Sequence, residues 1–315
     1  MNGRKRKVAV IGALNVDIAG LPEAAFVPGD SIPGRVTESL GGVGWNIARN
    51  CASLGAETVF FSVLGRDERA EQIRRSAETF GVDISPCRWA EEPNNRYLYI
   101  RGRNGEMAAA VNDMRLTERM DESFMESILP ALAGFDAAAA DANLSPGAFR
   151  VLAEGLSVPL AVDCVSAVKC GRLRDHLPRI HTLKANRMEA ETLTGRIGPE
   201  DCARALMDGG VTRVVISLGS EGVLCGEGGR LLRLPAAAGP VTDTTGAGDS
   251  LTAALTVGLA RGLSLEACAE LGVLAAGVTA GAPGAVTTAL RALALPAEKI
   301  QEENRNGRPE TEGSL

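Results

Sequence analysis

Along the chain, short apolar runs alternate with stretches whose apolar residues recur at every third or fourth position. Residues 8–12, Val-Ala-Val-Ile-Gly, are an unbroken apolar run with a glycine exit, the pattern of a strand buried on both faces of a parallel sheet. Helical spacing follows over 45–54, a strand over 58–64, and a second helix over 71–80 that stops at Gly81. Further strands are predicted at 137–140, 160–163, 181–184 and 214–218, with helical patterns between them. A last clear helix runs over 251–260, apolar at Leu251, Ala254, Leu255 and Gly258. This alternation predicts a doubly wound α/β domain.

Two segments break the rhythm. Residues 34–40 alternate like a half-exposed strand, while 96–100 and 107–111 flank Arg103-Asn104-Gly105. Asn-Gly between two such runs signals a hairpin. Together they predict a small β-layer outside the main sheet, although plain edge strands would show the same pattern. One domain is expected over 1–297, followed by a polar tail, 298–315, that should fray.

Composition acts mainly by exclusion. The 315 residues are 45% hydrophobic and 23% charged, ordinary for a globular chain. A net charge of −6 gives no basic field for nucleic acid or an anionic membrane. Seven cysteines without C-x-x-C spacing predict free thiols in a reducing cytosol. The basic start Arg4-Lys5-Arg6-Lys7 is followed by too short an apolar run for a signal peptide, since Asn15 and Asp17 interrupt it. No stretch approaches the roughly 18 apolar residues of a membrane span.

Five motifs carry chemistry. The first, Val-Thr-Asp-Thr-Thr-Gly-Ala-Gly-Asp-Ser over 241–250, leads directly into the last helix. Gly246, Ala247 and Gly248 would open that helix, where free N–H groups and the positive dipole end attract an anion. Asp249 then suits a general base beside a phosphoryl group. A glycine turn with an aspartate N-cap has the same sequence signature. In the second, Asn15 and Asp17 follow the first strand with matching parity and could grip vicinal hydroxyls, or cap their own turn.

The third motif, Gly41-Gly42-Val-Gly44-Trp-Asn46, brings backbone close to a ligand at a helix start; it lacks the third glycine of a dinucleotide fingerprint. The fourth is Lys184-Ala-Asn186-Arg-Met-Glu189. Its carboxylate could order Mg²⁺ through water beside a nucleotide, and Asn186 with Glu189 also fits a capping box; the two are compatible. The fifth, around Ser217, Gly219 and Gly222, is a glycine-bounded turn that could lie against a nucleotide. No Walker-A sequence occurs, so any kinase chemistry needs another phosphate cradle.

In this order the motifs resemble the ribokinase-like family of sugar and nucleoside kinases, from about residue 7 to 292. The resemblance implies a three-layer α/β/α sandwich with a small β-sheet lid, here 15–40 and 95–113, closing over the acceptor. It implies ATP and Mg²⁺ as cofactors, Asp249 as base, and an anion hole over 246–248. Asn186 and Glu189 would serve the phosphates and Mg²⁺, and Ser217, Gly219 and Gly222 the nucleotide. Asn15, Asp17, Gly41, Gly42 and Asn46 would hold the sugar. Asp243 and Thr245 match positions that line a monovalent-cation site in many members, which leaves K⁺ dependence open. Members often dimerise through the lid, and a face with Tyr97 and Tyr99 permits it here. Three stretches, 105–114, 163–170 and 180–194, narrow the resemblance to kinases of a nucleoside with a C-glycosidic uracil. By that resemblance Asn112 and Asp113 on the lid, with Ser166 and Lys169, would meet the base. Trp45 would pack on the base or on the lid.

Overall fold

A computed structural model describes residues 4–102 and 107–294. The turn expected at Arg103-Asn104-Gly105 and the tail over 298–315 lie outside the described residues. Strands β1 (Lys7–Ile11), β2 (Asn15–Pro22), β3 (Gly34–Gly41), β4 (Glu57–Phe61), β5 (Val63–Gly65), β6 (Val82–Asp83) and β7 (Arg88–Ala90) occupy the first part. They are followed by β8 (Asn95–Arg101), β9 (Met107–Asp113), β10 (Ala137–Asp141), β11 (Leu160–Asp163) and β12 (Thr182–Asn186). Last come β13 (Arg213–Ser217), β14 (Val223–Glu227) and β15 (Arg230–Leu234).

Nine strands form the central sheet in the order β15-β14-β13-β12-β11-β10-β1-β4-β6. From β13 to β6 every pairing is parallel, and β14 and β15 add an antiparallel edge. In β1, Val8 and Val10 join the cluster beneath helices Val43–Ser53 and Ala247–Arg261. Ala9 and Ile11 join the one beneath Glu122–Leu132 and Pro146–Gly155. Both faces are covered, which explains why the strand is apolar throughout. The result is three layers, α/β/α.

Successive strands leave β1 in opposite directions, toward β4 on one side and β10 on the other. Such a switch point opens a crevice at the carboxyl ends of the strands. Gly12, Asp141, Asp163, Asn186 and Ser217 all sit at those ends.

The outlying β-layer exists, as a four-stranded sheet ordered β3-β2-β8-β9. Its register puts Asp17, Tyr97 and Asn112 in one row, hence on one face. Ile18, Leu98 and Val111 form the next row, on the other face. Tyr97 and Tyr99 share the Asp17 face and are half-buried, their rings 5.3 Å apart. Exposed apolar side chains lie on both faces of this sheet, Leu21 and Met107 with the tyrosines and Val36, Leu98 and Val111 opposite.

The strand expected over 58–64 is two strands. It breaks at Ser62, whose carbonyl accepts the Arg88 amide at 3.0 Å, so β5 pairs with β7 instead of continuing in the main sheet. Trp45 is fully buried, 5.2 Å from the Phe60 ring, in a cluster that also takes in Val16 and Leu40 of the lid strands.

Candidate active site

The last long helix, Ala247–Arg261, begins at Gly246, whose φ of 79° is left-handed. A Cβ there would fall 2.1 Å from the Ala285 carbonyl oxygen, so glycine is required both for conformation and for space. The Ala247 amide turns back to the Thr244 carbonyl at 3.3 Å, while the Gly248 and Asp249 amides have no partner among the described backbone bonds. Asp249 lies on this turn as a helical residue and not as its N-cap, which is Gly246.

Asp249 is held from across the crevice. Its Oδ2 accepts from Asn46 Nδ2 at 2.8 Å, and Asn46 Oδ1 accepts from the Arg49 guanidinium at 2.7 Å. Arg49 also donates to the Leu40 carbonyl at 2.8 Å, tying base, glycine-loop helix and lid strand β3 into one chain of bonds. Burial raises the Asp249 carboxyl to about 7; the Asp163 charge adds to this, while the Asn46 bond and Lys184 pull the other way. A base with a pKa near the working pH combines availability with driving force.

Beneath Asp249, Lys184 Nζ pairs with Asp163 Oδ2 at 3.2 Å, and the Thr252 hydroxyl donates to the same oxygen at 2.6 Å. Asp141, on the neighbouring strand, is fully buried with its Oδ2 lacking a partner among the described residues. Burial raises that carboxyl to about 6.

The acceptor side is a cavity of about 430 Å³ lined by Asn15, Gly42, Asn112, Asn143, Lys169 and Arg172, among others. That lies within the roughly 300–1,000 Å³ of small-molecule sites. Gly42, at φ 99°, caps the glycine-loop helix where a Cβ would meet Asn15 Oδ1 at 2.6 Å. Asn15 donates to Asp17, which lies against Gly41. Burial lifts the Asp17 carboxyl to about 6 against the opposing pull of Arg49. Lys169 bonds the Asn143 side-chain oxygen, and Arg172 donates to the Ala142, Asn143 and Leu144 carbonyls at 3.2, 3.0 and 3.2 Å.

Five expected members are not among its lining residues: Asp17, Gly41 and Asn46, which neighbour Asn15 and Gly42, and Asp113 and Ser166. Asp113 follows Asn112 on a strand and so faces the other way, where Arg115 holds its carboxyl down at about 2. Ser166 stands at the N-cap position of the short helix Ala167–Cys170 and is not among the lining residues.

The nucleotide side is a mainly apolar cleft of about 370 Å³. Ser217, Gly219 and Gly222 line it, with Ala247 and Gly248 at one end. Asn186 and Glu189 form the capping box: Asn186 Oδ1 accepts the Glu189 amide at 2.9 Å, and Glu189 Oε2 accepts the Asn186 amide at 2.7 Å. Asp243 and Thr245 form a local Asx turn, Thr245 N–H and Oγ donating to Asp243 Oδ1 at 2.9 and 2.6 Å. Asp249 stands between the two hollows, following Gly248 of one and bonded to Asn46, one turn from Gly42 of the other.

Comparison with known proteins fits this arrangement. A family model described as pfkB family carbohydrate kinase matches residues 5–292. The chain belongs to that family. It is a kinase with an alcohol acceptor. It is 35% identical over 262 residues to pseudouridine kinase of Escherichia coli (strain K12), covering 80% of this chain and 83% of that one. It is 32% identical over 278 residues to the uncharacterized sugar kinase YeiI of the same organism, covering 86% and 77%. The solved structure of Arabidopsis thaliana ribokinase complexed with ribose and ATP superposes with a TM-score of 0.80 at 24% identity, over 94% of this chain and 99% of that one. The fold is ribokinase-like, as the sequence motifs imply.

Sequence reasoning passed over Asn143, Arg172, Asp141 and the charge role of Lys184. The first three follow apolar strands at the switch point or face one that does, and the run Ala-Asp-Ala-Asn over 140–143 was the signal available for two of them. It also passed over the hairpin of β14 and β15, although Gly228 and Gly229, at φ 57° and 80°, are a recognisable two-residue turn.

Proposed function

We propose that this kinase transfers the γ-phosphoryl group of ATP to the 5′-hydroxyl of pseudouridine, giving pseudouridine 5′-phosphate and ADP. The observation that carries this reading is the acceptor cavity, lined by Asn112 from the lid, Asn143 after β10, Lys169 from the short helix Ala167–Cys170, and Asn15, which donates to Asp17. A C-glycosidic uracil offers two ring N–H donors and two carbonyl acceptors, and side-chain amides can answer both. The similarity to pseudouridine kinase supports the same substrate. A second reading, another nucleoside or a sugar such as ribose or fructose, draws on the similarity to YeiI.

In the reaction the 5′-oxygen bonds to the γ-phosphorus as the bond to the β–γ bridging oxygen breaks. The hydroxyl proton passes to Asp249, and ADP leaves with the electrons of the broken bond. Charge on the moving group is met by the first-turn amides at Gly248 and beyond, in a loose in-line transition state. Lid closure by β2, β3, β8 and β9 would exclude water as a competing acceptor.

Among the described residues no group of three or more His, Cys, Asp or Glu could hold a metal by itself. Mg²⁺, which keeps its water and prefers phosphate oxygens, would therefore arrive with the nucleotide. Each Glu189 oxygen accepts one bond from Asn186, leaving lone pairs to orient the waters of that ion. The ion would neutralise charge on the phosphates. Asp243 and Thr245 are assigned to a K⁺ site, checked by comparing rates in K⁺ and tetramethylammonium. We place the protein in the cytoplasm, as a dimer through the exposed Val36, Leu98 and Val111 face of the lid. None of its described helices is long and apolar enough to cross a membrane.

A coupled ADP-release assay with pseudouridine, uridine, cytidine, ribose and fructose tests the reading. Turnover on pseudouridine well above the other four is expected, and preference for any of them would replace it. Asn112→Ala should lower kcat/KM for pseudouridine by about 10- to 100-fold, the loss of one or two buried hydrogen bonds. Asp113→Ala, on the outer face, should stay within about threefold. Equal losses for both would mean that the lid rearranges on closure in a way that brings Asp113 inward.

A further inference from the structure

Lys184 is buried, with 9% of its side chain exposed, and the reaction as written above does not use it. We propose that Lys184 is a catalytic residue whose ammonium contacts a non-bridging oxygen of the γ-phosphoryl group from beneath Gly248. The inference rests on the kinase reading and adds a cation to its transition state.

Position is the first argument. A Cβ built on Gly248 would fall 2.8 Å from Lys184 Nζ, so the ammonium occupies the space beside the residue to which the mechanism above assigns an amide contact with the phosphoryl. Gly248 also lines the nucleotide cleft. A cation there lies within contact range of any anion that the amide binds.

Bonding is the second. An ammonium has three N–H donors. Among the described residues Asp163 is its one ion-pair partner, at 3.2 Å, and that oxygen is shared with the Thr252 hydroxyl. The remaining donors have no comparable partner among the described contacts. Burying an ammonium is costly unless its donors are used, and a bound phosphoryl oxygen would use them.

Charge is the third. Burial opposes the ammonium, yet Asp163, Glu189 and Asp249 together outweigh it and hold Lys184 above its ordinary pKa. It stays protonated at every working pH. A crevice that gathers Asp163, Glu189 and Asp249 around a polyphosphate needs a fixed countercharge, and Lys184 interacts with all three. Asp163 and Thr252 then act as positioning residues that hold the ammonium under Gly248.

The rival role is a tie between strands, because Asp163 and Lys184 are direct partners in the β11–β12 register. Lys184→Met is therefore compared with the double variant Asp163→Asn/Lys184→Met, which removes both charges of the ion pair together. The wild-type protein is assayed alongside with ATP and its best acceptor. We expect the single variant to lose about 100-fold in kcat, the scale of one transition-state donor. Its affinity for the β,γ-imido analogue of ATP should fall about tenfold while its affinity for AMP, which has no γ group, stays the same. The double variant should regain thermal stability and not kcat. Recovery of kcat to within threefold of wild type in the double variant would overturn the proposal in favour of a tie. So would equal losses of AMP and analogue affinity. Failure of the wild-type protein to turn over any acceptor would count against the kinase reading itself, and the inference would fall with it.

Discussion

Asp249→Asn should lower kcat by about 10²- to 10⁴-fold, the range for loss of a general base, with ATP affinity within a few-fold of wild type. The substitution keeps size and shape. Its amide oxygen can still accept from Asn46, so the bond chain through Asn46, Arg49 and Leu40 survives. What disappears is the capacity to take the proton of the attacking hydroxyl. The pH profile separates this from a general disturbance of the site. With the wild-type carboxyl near 7, only the ionised fraction works, so kcat/KM should rise tenfold per pH unit below that value and level off above it. In the asparagine variant this acid limb should be absent. A variant retaining a tenth or more of wild-type kcat, or one with the limb unchanged, would remove Asp249 from the role of base.

The main sheet was legible because its strands are buried on both faces. Their apolar runs mark both existence and end, and the prediction at 160–163 coincides with β11. Local turn chemistry was equally readable: Gly81 ends its helix in the left-handed conformation, and Asn186 with Glu189 makes the capping box that the spacing allows. Features that depend on what lies across the crevice were not. That Trp45 faces the core and Asp113 faces solvent follows from the register of β8 with β9 and the tilt of a helix, neither of which is written in local spacing. The same applies to Asp249. Its identity as an acid near a glycine turn was visible, but its position beside Asp163, Lys184 and Asn46 joins residues from four distant parts of the chain.

That assembly should also be measurable as a cost to the fold. Asp17, Asp141 and Asp249 are all raised by burial, to about 6, 6 and 7 from an ordinary value of 3.8. An acid whose pKa is raised by folding binds its proton more tightly in the folded state. The stability this provides is complete below the unfolded pKa and is lost as pH rises through the folded one. The ligand-free protein should therefore lose stability between about pH 4 and pH 8 through these three groups. For Asp249 alone, each unit is about 1.4 kcal/mol, giving about 4 kcal/mol in full and about 1–3 kcal/mol after allowance for its partial exposure. Asp249→Asn removes that share, because an amide has no charge to bury. Urea unfolding should show the variant more stable than wild type by about 1–3 kcal/mol at pH 8, with the difference shrinking toward zero near pH 4. A difference that does not change with pH would mean that the carboxyl is not held neutral by the fold, and that its fitness as a base must come from the bound nucleotide and acceptor instead. A difference that follows pH as described would mean that the burial which makes Asp249 a base at neutral pH is also what the fold gives up in stability to keep it there.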